Sequence, residues 1–68
     1  MIDTRKLKSK MVLADITTND IGDATGLRAD SVRRRLRGEM EFSLSEAQAV
    51  RKLLNLTDDE FEEIFFSE

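Results

Sequence analysis

Cysteine, histidine and proline are absent from this 68-residue sequence, and glycine occurs only at Gly22, Gly26 and Gly38. Without Cys no disulfide forms, and nothing in the sequence requires an oxidising compartment. Without Cys and His, the common zinc ligand sets and the Cys or His nucleophiles are excluded, so no metal and no cofactor are expected. Without Pro, little interrupts a helix. No run reaches the roughly 18 apolar residues of a membrane span. Met1 to Lys10 lacks the apolar stretch of a signal peptide. A soluble, cytoplasmic protein with no membrane partner is the expectation.

What is present suits helices: 37 % charged and 40 % hydrophobic residues, with no sustained alternation of period two. The length predicts one small domain over residues 1–68, of a size that buries only about 60 % of its unfolded surface. The net charge is −3, but it is divided unevenly. Residues 1–38 hold nine Lys/Arg against five Asp/Glu, whereas residues 39–68 hold two against nine. A basic half followed by an acidic half suggests one face for an anionic partner and another turned away from it.

Helix punctuation recurs along the chain. Leu7, Met11 and Ala14 form one helical stripe, with Asp3 or Thr4 as cap, so a first helix is predicted over about 4–15. Thr17 and Asp20 form a variant capping box, and Gly26 offers a residue that tolerates positive φ, giving a second helix over about 18–25. A third runs from Ala29 to Arg37 and stops at Gly38. Ser43 with Glu46 starts a fourth over about 44–54, with Leu44, Ala47, Val50 and Leu54 as its stripe and Asn55 as a left-handed stop. Thr57 with Glu60 starts a fifth over about 58–66. Leu7, Met11, Ile16, Ile21, Leu27, Val32, Leu36, Phe42, Leu44, Val50, Leu54, Leu56, Phe61, Ile64 and Phe65 are expected to share one core.

The stretch "SVRRRLRG" packs Arg33, Arg34, Arg35 and Arg37 into five positions of an acidic chain. At about 100° per residue, Ala29, Val32 and Leu36 fall in one sector, which faces the core. Arg34 points the opposite way, with Ser31 to one side and Asp30 and Arg37 to the other; Arg33 and Arg35 flank this face. A helix of this kind fits the DNA major groove, where an Arg fork reaches guanine O6 and N7 and discriminates by about 1–3 kcal/mol per pair. Asp30 either complements the helix dipole or accepts from cytosine N4. Only Leu27 and Arg28 separate Gly26 from Ala29, the spacing of a helix-turn-helix over about residues 18–37.

The segment "ITTNDIGDATGLRADSVRRRLRG" resembles the helix-turn-helix of the lambda-repressor-like (Cro and XRE) family of DNA-binding domains. The likeness rests on Thr17, Ile21, Gly22, Gly26, Leu27, Val32 and the closing "RRLRG". "FSLSEAQAVRKLLNLTDDEFEEIFF" resembles the C-terminal part of short phage and prophage regulators of that family. The resemblance implies an all-α, compact five-helix bundle whose third helix reads bases. It places Ala29, Asp30, Ser31 and Arg34 at base-facing sites. Thr18, at the start of the second helix, and Arg28, Arg33 and Arg37 fall at phosphate contacts. Three features depart from the pattern. Arg28 stands where a Ser or Thr cap is usual, Ala29 and Asp30 replace common donors, and Glu39 and Glu41 make the following loop acidic.

Other chemistry is poorly supported. "DDEFEE" lacks the glycine and ligand spacing of a calcium loop, and a domain this small offers no cleft for paired carboxylates or a small-molecule substrate. Catalysis is not expected. Phe65 and Phe66 are adjacent and cannot both face one core, so one of them, with Val12 or Leu13, is expected to form an apolar patch for a homodimer. The sequence thus points to a transcriptional regulator, nucleoid-associated in a bacterial cell and bound to double-stranded DNA at a palindromic operator. The alternative is a protein-interaction module on the same fold, an antirepressor or antitoxin, that uses its acidic C-terminal half.

Overall fold

Four of the five helices begin at a residue whose side chain satisfies a free N–H group of the first turn. The computed structural model describes residues 2–66. Among them lie five helices and no strand: α1 (Thr4–Leu13), α2 (Thr18–Thr25), α3 (Ala29–Leu36), α4 (Leu44–Leu54) and α5 (Asp58–Phe65). Asp3 caps α1 by accepting from the Lys6 N–H. Thr17 with Asp20, Ser43 with Glu46 and Thr57 with Glu60 close full capping boxes on α2, α4 and α5, each satisfying two donors reciprocally. The N-cap of α3 is Arg28, and its side chain makes no cap bond.

Three of the helices, α1, α3 and α4, stop by one device. Asp15, Gly38 and Asn55 take positive φ, and in each case the next N–H reaches back to a carbonyl of the last turn: Ile16 to Met11 at 2.8 Å, Glu39 to Arg34 at 2.9 Å and Leu56 to Arg51 at 3.0 Å. Such closures satisfy orphan carbonyls. The first helix therefore ends at Leu13, short of the expected Asp15, because Asp15 supplies the left-handed residue itself.

One fully buried aliphatic side chain comes from every helix: Leu7, Ile21, Val32, Val50 and Ile64. Each contributes about 1.5–3 kcal/mol by leaving water. Met11, Leu36, Ala47, Leu54, Leu56 and Phe61 complete the buried cluster, with Ile16, Leu27, Phe42 and Phe65 half-buried against it. Leu44, expected in the core, is 65 % exposed. On the helical wheel it lies about 90° from the centre of Ala47, Val50 and Leu54, so it leaves the stripe sideways.

α1 and α5 run antiparallel. The Asp3 N–H donates to the Ile64 carbonyl at 2.6 Å, Lys6 pairs with Glu63 at 3.5 Å, and Lys10 pairs with Glu60. Partner numbers fall along α5 as they rise along α1. This separates the expected apolar patch into two. Val12 (79 % exposed) and Leu13 (82 % exposed) sit at the C-terminal end of α1, whereas Phe66 (59 % exposed) sits beside Ile2 and Phe42 at the other end.

Candidate functional site

α2 and α3 are joined by Gly26, Leu27 and Arg28, and the residues around this turn explain how tightly it closes. The Gly26 N–H donates to the Gly22 carbonyl at 2.8 Å, and Gly26 has φ +79°, a conformation glycine adopts without steric penalty. The Thr25 hydroxyl donates to the Ile21 carbonyl at 2.7 Å and accepts from the Leu27 N–H at 3.3 Å. Leu27 is half-buried against the core, so the turn is fastened by an apolar plug as well as by hydrogen bonds. Gly22 carries no side chain where one would meet the Leu27 carbonyl oxygen at 2.9 Å.

From that turn α3 presents Val32 and Leu36 to the core, and buries Arg35 as well. The four arginines, equivalent in the sequence, divide into three kinds. Arg35 is buried, at 9 % exposure. Its Nε donates to Glu46 Oε1 at 3.1 Å, and its Nη1 donates to the Ser31 carbonyl at 2.9 Å. The expectation that Arg35 flanks the outer face is thus corrected: the Glu46 side chain, from the first turn of α4, reaches that side of α3, and the guanidinium is spent on it and on the Ser31 carbonyl.

Arg33 and Arg37 are exposed but paired. Arg33 Nη2 donates to Asp30 Oδ1 at 2.9 Å, one turn back on the same helix. Arg37 Nε donates to Glu39 Oε2 at 2.6 Å across the end of α3. The hydrogen bond to Glu39, followed by its charge, raises the Arg37 guanidinium above its ordinary value, and the same bond lowers the Glu39 carboxyl. Arg34 is exposed and, among the described residues, makes no ion pair and no side-chain hydrogen bond. It stands at the centre of the outward face.

The other sequence-predicted positions are distributed around Arg34. Asp30 and Arg28 are exposed, Ala29 and Ser31 are half-buried in the first turn of α3, and Thr18 is half-buried at the first position of α2. Asp30, Ser31, Arg33, Arg34 and Arg37 share one helix or its immediate end. Glu41 is exposed in the loop beyond. An exposed pair such as Asp30–Arg33 contributes about 0.2–1 kcal/mol, so an incoming anion can take Arg33 from Asp30 at small cost. The exposed guanidinium of Arg34, unpaired among the described residues, can donate forked hydrogen bonds to an acceptor.

Sequence reasoning missed the second role of Glu46. Its spacing from Ser43 announces the cap, and the cap is present. The bond from Arg35 joins residues 11 positions apart, and no local spacing rule signals it. No protein-family model, curated protein or solved structure matches this chain.

Proposed function

We propose that this protein is a sequence-specific DNA-binding regulator of transcription, of the Cro- or repressor-like kind carried by phages and prophages, with α2 and α3 as a helix-turn-helix and α3 as the helix that enters the major groove. The reading rests above all on Arg34, the arginine of α3 that is exposed at the middle of its outer face and, among the described residues, unpaired. Ala29, Asp30 and Ser31 precede it at the end of the helix that would reach base edges. Thr18, Arg28, Arg33 and Arg37 surround it as phosphate contacts, which hold the protein on the duplex without specifying sequence. Arg33 and Arg37 enter binding by exchanging Asp30 and Glu39 for phosphate.

A homodimer on a palindromic operator would bury one of the two separate apolar patches, Val12 with Leu13 or Phe66, and place two copies of α3 about one DNA turn apart. The test is selection of bound duplexes from a random pool, followed by the same selection with Arg34→Ala. A defined motif is expected for the parent, with preference relaxed at one base pair in the variant. Lys8→Ala is expected to weaken binding to all duplexes alike, if at all. A pool that shows no enrichment rejects the DNA reading and leaves the protein-interaction module, for which the acidic C-terminal half, nine Asp/Glu against two Lys/Arg over residues 39–68, offers a surface.

A further inference from the structure

We infer that Arg35 is a positioning residue for the reading face: through Glu46 it fixes the orientation of α3 against the N-terminus of α4, and so sets how well Arg34 meets its target. The inference rests on the DNA-reading proposal above. Its ground is a convergence on one atom. Glu46 Oε1 accepts the Ser43 N–H at 2.9 Å, which closes the cap of α4, and accepts Arg35 Nε at 3.1 Å. The other arm of the same guanidinium holds the Ser31 carbonyl at 2.9 Å. One planar group therefore links the first turn of α4 to a residue of the proposed reading surface.

Both side chains are largely shielded from solvent, at 10 % and 18 % exposure, so water competes weakly for these bonds. A lysine could not replace the fork, because a single ammonium on a flexible stem cannot fix two acceptors in one plane. Helix α3 is short and lacks a side-chain cap. The turn after α2 holds its N-terminus, and the Arg35–Glu46 strut adds a polar restraint nearer its C-terminal end. A recognition surface needs its residues held within about 0.5 Å by such support. Arg35 itself, being buried, is not available to phosphate.

The test uses the full chain, the duplex selected by the parent and a scrambled duplex of equal length. In Arg35→Met, the ratio of affinities for the two duplexes is expected to fall about tenfold, while the dependence of binding on salt stays that of the parent. Glu46→Gln keeps an oxygen for the Ser43 N–H and loses the charge; it is expected to remain folded and to give an intermediate fall in the ratio. In the parent, the Arg35 Nε–H resonance is expected to exchange with water more slowly than that of Arg37, whose bond to Glu39 is exposed. A salt slope shallower by about one phosphate contact in Arg35→Met would make Arg35 a ligand contact and overturn the inference. So would an unchanged affinity ratio in both variants, or an Arg35 Nε–H that exchanges as fast as that of Arg37. A parent that binds both duplexes equally overturns the DNA reading itself; the exchange measurement, which needs no DNA, separates that failure from a failure of the strut.

Discussion

A methyl group placed on Gly22 would come within 2.9 Å of the carbonyl oxygen of Leu27. That oxygen belongs to backbone inside the turn between α2 and α3 and cannot rotate away. Gly22→Ala gains up to about 1 kcal/mol of helix propensity but must push the turn outward, a strain of about 1–3 kcal/mol. A net loss of stability is expected in chemical denaturation. Gly26→Ala meets no neighbour within 4 Å but holds φ at +79°, and is expected to lose about 1–2 kcal/mol for that reason alone. A Gly22→Ala variant as stable as the parent would mean that the turn is looser than its geometry indicates.

Leu44 and Leu7 offer the same substitution in opposite settings. Leu7 is fully buried and Leu44 is 65 % exposed. Leu7→Ala is expected to cost about 2–5 kcal/mol, enough to unfold much of a domain this small. Leu44→Ala is expected to change stability by less than about 0.5 kcal/mol. Thermal unfolding followed by circular dichroism distinguishes them, and equal losses would return Leu44 to the core.

The Lys10–Glu60 pair makes stability depend on acid. The hydrogen bond from Lys10, with that from the Thr57 N–H, lowers the Glu60 carboxyl from 4.5 to about 2. A carboxyl held below its unfolded value adds stability that is fully present above pH 4.5 and is lost as the pH falls through about 2. The melting temperature of the parent should therefore decline across this window more steeply than that of Glu60→Gln, which can still accept the Thr57 N–H. Parallel declines would remove Glu60 as the source.

What the sequence discloses here is what short-range spacing encodes. The S-x-x-E and T-x-x-E patterns give the starts of α4 and α5 to the residue, and Gly38 and Asn55 mark ends, because caps and stops are formed within six residues of chain. The outward direction of Arg34 follows from the helical wheel for the same reason. The fate of Arg35 does not, whereas Arg33 and Arg37 pair within three residues of chain. A wheel gives an angle but not the neighbour found at that angle, and Arg35 differs from Arg33 only because α4 presents Glu46 to it. Leu44 shows the converse: an apolar residue at a plausible interval, turned too far round the helix to reach the core. The α1–α5 pairings likewise join residues 50 or more positions apart, and these separate Leu13 from Phe66.

Glu39 provides a prediction about affinity. Its carboxylate holds Arg37 at 2.6 Å, at the end of the face that α3 would turn to DNA. Before Arg37 can reach a phosphate, that bond must break, and the freed carboxylate then lies close to a backbone of the same sign. Glu39→Gln removes the like charge and weakens the bond that holds Arg37, since a neutral oxygen accepts from it less strongly. Binding is expected to tighten several-fold at low salt, because one more cation becomes available to displace counterions, and the salt slope should steepen by up to about 0.9. Base preference should stay as in the parent, since a phosphate contact carries no sequence information. Fluorescence anisotropy of a labelled duplex, titrated with Glu39→Gln protein at several salt concentrations, measures both quantities. Tighter binding with an altered motif would assign Arg37 to base reading; no change in affinity would place the end of α3 away from the duplex.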